Sequence, residues 1–98
     1  MEFNEFGYYR KLNQSSVDDL RKEMEELSSE RKTVRGKVGL LISNLEADEA
    51  GNITYADSLR TSMENDLESK VEELEIIDMK ISVLYMFVNR KQGIYARY

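Results

Sequence analysis

The sequence predicts an all-α protein: an antiparallel two-helix hairpin, coiled-coil-like, with a short N-terminal aromatic arm, completed to a four-helix bundle by dimerisation. Three observations carry that expectation. Proline is absent while charged residues make up 34% of the 98 positions, which suits long helices because straight-chain residues lose little freedom in them. Apolar residues recur at alternating steps of three and four, the repeat of a coiled-coil seam. The repeat is interrupted at Asp48-Glu49-Ala50-Gly51-Asn52, where Gly51 suits a helix end and the turn after it.

Residues 1–14 form the arm, with Phe3, Phe6, Tyr8 and Tyr9 beside Arg10 and Lys11. The hairpin then occupies residues 15–98. Its first helix is expected over 16–47, opened by Ser16 with Asp19 as an N-cap pair. The seam runs Val17, Leu20, Met24, Leu27, Arg31, Val34, Val38, Leu41 and Leu45. A turn fills 48–53, and Thr54-x-x-Asp57 reads as the capping box of a second helix over 54–92. That helix carries a second seam through Ala56, Arg60, Met63, Leu67, Lys70, Leu74, Ile77, Ile81, Leu84 and Val88. Gly93 ends it, with Arg90 and Lys91 complementing the helix dipole.

Two helices joined by a short turn fold back on each other. The turn suggests a register in which Leu45 meets Ala56, Val34 meets Leu67, Leu27 meets Leu74 and Leu20 meets Ile81. That alignment sets Arg31 opposite Lys70, bracketed by Glu30 and Glu73. Two bases and two acids thus share one polar layer, a coincidence that favours this register over a slip of one heptad. The layer fixes register if both bases reach out of the seam to the acids. It becomes a niche for a small anion, in an enzyme or sensor, if they do not.

The composition excludes much chemistry. With no Cys and no His, disulfides, thiol nucleophiles, zinc fingers and histidine acid–base catalysis are out. No loop has calcium-binding spacing, so no cofactor or metal is expected, and no catalytic residue. A formal net charge of −5 argues against general binding of nucleic acid or anionic membrane. The opening residues lack a signal peptide's apolar segment. The apolar octet Ile81–Val88 spans only ~12 Å as helix, far short of a bilayer. A cytoplasmic protein is expected, or one of the host-cell cytoplasm or virion if the source is viral.

The stretches ERKTVRGKVG (Glu30 to Gly39) and DSLR (Asp57 to Arg60) resemble pieces of the helical chorismate mutases. Thr61 stands where that pattern wants a glutamate, so the activity is not carried over.

The strongest functional signal is the octet itself. Ile77, Ile81, Leu84 and Val88 face the first helix, yet Ile76, Met79, Val83 and Met86 form another stripe on roughly the opposite side, flanked by Tyr85 and Phe87. Burying four such side chains is worth about 1.5–3 kcal/mol each, so the stripe needs a cover. A second copy of the chain is the expected one, in a dimer; another protein, or the aromatic arm folded back, are the alternatives. The arm also collects with Arg90, Lys91, Tyr95, Arg97 and Tyr98 into a basic aromatic end. Aromatics among bases can stack on nucleobases and pair with phosphates, although a hydrophobic plug explains the same residues. The chain therefore reads as a non-enzymatic interaction or assembly module, on the scale of small regulators, chaperones and minor virion or phage proteins.

Overall fold

The computed structural model describes residues 3–92, and among them every regular element is helical. They are α1 (Glu5–Gln14), α2 (Val17–Glu49) and α3 (Asp57–Lys91). The particle is elongated, 57 × 23 × 22 Å, because the two long helices pack side by side.

The arm is itself a helix. Asn4 caps it by accepting from the Gly7 N–H at 2.9 Å. It stops at Ser15 and Ser16, both extended. Ser15 turns its hydroxyl back to the Lys11 carbonyl, whereas Ser16 accepts from the Asp19 N–H and starts α2. Two adjacent residues that hydrogen-bond locally suit a break between helices better than continuous helix. Lys91, at the far end of α3, then donates to the Asn13 and Ser15 carbonyls at 3.0 and 2.7 Å. These carbonyls lie at the end of α1, where carbonyls lack helical partners and a cation is favoured.

Contacts between the long helices pair rising numbers on one with falling numbers on the other. Asp48 meets Arg60, Arg31 meets Asp78, and Lys91 meets the carbonyl just before α2. This corrects the register expected from the turn. Arg31 lies beside Asp78 rather than Lys70, and Asp48 beside Arg60 rather than Ile53, a displacement of about one heptad or ~11 Å of helix. A heptad slip keeps both apolar seams facing each other, so it changes polar partners without exposing the core. Arg31 gains an acid across the interface by it. Arg31 Nε is 2.7 Å from Asp78, while Lys70 pairs within its own helix with Asp66 and Glu73.

The core is gathered at one end. Leu12, Leu20 and Leu84 are fully buried, and Tyr8, Leu27, Phe87 and Val88 join them in one cluster. All lie where α1 closes over the N-terminal part of α2 and the C-terminal part of α3. Away from that end burial thins out: α3 has no buried residue before Ile77, and α2 beyond Val34 has only Asp48.

The connection explains the buried Asp48. α2 ends in a Schellman motif, with Asn52 N–H bonded to the Ala47 carbonyl and Gly51 N–H to that of Asp48. Gly51 takes φ +82°, a conformation that glycine adopts without steric cost. The Asp48 side chain, 3% exposed, accepts from the Tyr55 N–H at 2.9 Å and from Arg60 Nε at 2.6 Å. The expected capping box at Thr54 does not form. α3 starts three residues later with Ala56 at the N-cap position and no side-chain cap, and Asp48 satisfies the entering backbone from across the turn.

The Tyr55 N–H and then the Arg60 guanidinium hold the Asp48 carboxyl below its ordinary range. A depressed folded value contributes stability that is present above the unfolded carboxylate value and disappears as pH falls through the folded one. Asp48→Asn is expected to lower the melting temperature by several degrees at neutral pH, and the gap from wild type to close as pH drops below about 4. Parallel pH profiles in thermal melts followed by circular dichroism would contradict this role.

Candidate interaction surface

The stripe read from the sequence divides in two. Phe87, expected at the margin of an interface, is 5% exposed and belongs to the core. Tyr9 of α1 packs edge-on against it, with ring centroids 5.6 Å apart. Val83 packs against the same cluster. The cover for this flank is the aromatic arm, one of the alternatives to a second copy. Its success has a simple cause: the break at Ser15–Ser16 lets α1 fold back beside α3 instead of prolonging the seam of α2.

What α1 leaves uncovered is the remainder. Met79 is 40% exposed, Met86 41% and Tyr85 57%, with Ile76 partly buried. Met79 and Met86 are one heptad apart on the side of α3 turned away from α2. Among the other exposed apolar residues, Val71, 37% exposed, lies eight residues before Met79 on α3 and flanks this row, while the rest do not extend it. Leu40 and Ile42 point to different sides of α2, and Ile53 and Leu59 flank the connection at the opposite end of the molecule.

The polar layer is not assembled. Glu30 and Glu73 line one groove with Glu72, Ile76, Ile77 and Lys80, but Arg31 opens onto another, of about 420 Å³, with Ser28, Lys32, Arg35 and Gly36. Arg31 and Lys70 are eight positions apart in register and each is paired with acid, so they do not jointly present an unneutralised anion niche. Among the described residues no cluster of three or more Asp or Glu could hold a metal ion.

The basic aromatic end is also spent internally. Lys80 lies over the rings of Phe3 and Tyr8, at 5.3 and 5.8 Å from their centroids, Arg10 lies over Phe6, and Arg90 over Phe87. Such placement draws each cation to the negative face of a ring. The Phe3 ring packs tilted against Tyr8, with centroids 5.6 Å apart, Lys11 pairs with Glu23 at 3.3 Å, and Lys91 is bound to backbone. The Tyr8 hydroxyl reaches Glu23 at 3.4 Å; burial first, then the Glu23 charge and this bond, hold it protonated well above the ordinary phenol range. Among the described residues of this end the rings pack inward as a plug, with Phe6, 72% exposed, and Tyr9, 39% exposed, the more open ones. Tyr95, Arg97 and Tyr98 lie outside the described residues, as does Gly93. Sequence reasoning missed Lys80 as a partner of the arm and Asp48 as the tie across the turn. The first had no signal because it depends on where α1 lands. The second had one: Asp48 and Arg60 both fall next to the interruption in the heptads.

Comparison with protein-family models, curated proteins and solved structures returns no match. Among the described residues no helix is long and apolar enough to cross a membrane.

The division of the stripe predicts unequal effects. Phe87→Ala is expected to cost about 3–5 kcal/mol in urea unfolding, the range for a buried aromatic. Tyr85→Ala, two positions away, should stay within about 0.5 kcal/mol in dilute protein, as for an exposed side chain. Similar losses for both would mean that α1 does not seat on Phe87.

Proposed function

We propose that the chain is a non-enzymatic helical interaction module: a hairpin that self-associates through the outer face of α3 in a dimer, the two α3 helices meeting at the centre with each α2 on the far side. One observation carries this reading. Met79 and Met86 remain about two-fifths exposed on the face opposite α2, with Tyr85 at the margin, after α1 has covered everything within its reach. Methionine suits such a surface because its unbranched, polarisable side chain fits irregular contacts.

The energetics point to a weak, reversible assembly. Full burial of a large apolar side chain is worth about 1.5–3 kcal/mol, and these residues retain only part of that gain. Two copies of Met79 and Met86 therefore supply roughly 4 kcal/mol, against an association cost of at least that size. Tyr85 and polar contacts at the rim must contribute the surplus. Such a dimer forms and dissolves over an accessible concentration range, as befits a regulatory or chaperone-like partner rather than a permanent scaffold.

Met79→Glu combined with Met86→Glu is expected to return the chain to its single-chain mass in light scattering while leaving its helical circular dichroism intact. Two charges placed in each copy's contact should abolish association outright. Unchanged mass would refute the reading.

A further inference from the structure

The face that α3 turns away from α2 has an ordered pattern of charge. Glu75, Met79, Met86 and Arg90 follow at steps of four, seven and four, so they lie on one side of the helix. The order is acid, methionine, methionine, base, and it is symmetric about the midpoint between Ser82 and Val83. Both charged residues are exposed, and among the described residues neither belongs to an ion pair. Arg90 only rests on the ring of Phe87, 5.4 Å from its centroid.

A second copy laid along this face in the reverse direction matches all four positions at once. Met79 then meets Met86 of the second copy, Glu75 meets its Arg90, and the two-fold axis repeats both contacts. A parallel arrangement brings Glu75 onto Glu75 and Arg90 onto Arg90. We infer that the occupant of the α3 face is a second copy of this chain running antiparallel to the first, aligned by reciprocal Glu75–Arg90 pairs. The contact spans about 22 Å of helix. The inference rests on the self-association proposed above and adds its direction and register. Methionine supplies attraction with little preference for alignment; the charges select one alignment and make its assembly sensitive to salt.

Charge reversal tests it. Glu75→Lys and Arg90→Glu each replace two attractive contacts per dimer with two repulsive ones, so each is expected to weaken self-association about tenfold in sedimentation velocity. An equimolar mixture of the two variants restores it, because the lysine introduced in one chain then faces the glutamate introduced in the other. Single variants that associate like wild type, or a mixture no tighter than its components, would overturn the register. The chain has no cysteine, so a second measurement does not depend on how the charge variants fold: Met79→Cys is mixed with Met86→Cys and mildly oxidised. The mixed disulfide should dominate, and a majority of like-with-like disulfides overturns the antiparallel direction. The two failures are distinguishable. Dimers that dissociate in Met79→Glu/Met86→Glu but ignore Glu75 and Arg90 defeat the register alone, whereas a wild type that stays monomeric defeats self-association itself.

Discussion

The constraint on which this molecule depends is that two helices alone cannot enclose a core. Each offers the other a narrow seam, and side chains along it stay partly wet on both flanks. Complete burial is reached only where a third helix closes one flank, and Leu12, Leu20 and Leu84 all lie there. The rest follows from that location. α1 must turn back at Ser15–Ser16 to reach it, Lys91 is drawn to the end of α1, and the other end of the long helices is held by Asp48 and Arg60 rather than by apolar packing. One flank of α3 is used up by α1, and the outer face is left open.

The periodic parts of this arrangement were legible in the sequence. Both apolar seams, the Ser16 cap and the turn at Gly51 stand where spacing and turn chemistry put them. The register was not, for a physical reason. A heptad seam fits its partner equally well after a slip of seven residues, so apolar spacing cannot choose between the two alignments. The choice falls to polar partners. Setting Arg31 opposite Lys70 with Glu30 and Glu73 nearby satisfies net charge on paper. The slipped alignment instead brings Asp78 to Arg31 and Arg60 to a buried Asp48, and an interior carboxylate with two donors is more demanding than an exposed pair. Thr54 illustrates the same limit. Its capping signal was local, and a residue six positions earlier in sequence supplied the bond to Tyr55 instead.

The apolar row on α3 was legible in the sequence, but which of its members α1 would cover was not. Ile76, Met79, Val83 and Met86 do form a row distinct from the seam, but a row in sequence does not say which of two neighbours will cover each member. Val83 and Phe87 went to α1 because it docks on that flank; Met79 and Met86 lie farther round the helix and stayed out. The described part of the basic aromatic end is engaged within the chain for a related reason. Rings and cations adjacent in composition satisfied one another once α1 folded back, with Lys80 arriving from the middle of α3. On the outer face of α3, by contrast, Met79 and Met86 stay about two-fifths exposed.

Amide hydrogen exchange under native conditions measures the one-ended core most directly, because protection reports the free energy of local opening at each position. The slowest amides should lie around Leu20–Leu27 in α2 and Ile81–Val88 in α3, with α1 protected alongside them near Leu12. Protection should fall off through residues 40–66, where the seam is only partly buried and Asp48 supplies the one buried tie among the described residues. Uniform protection along both long helices, or a maximum near the connection, would contradict a core built at the three-helix end.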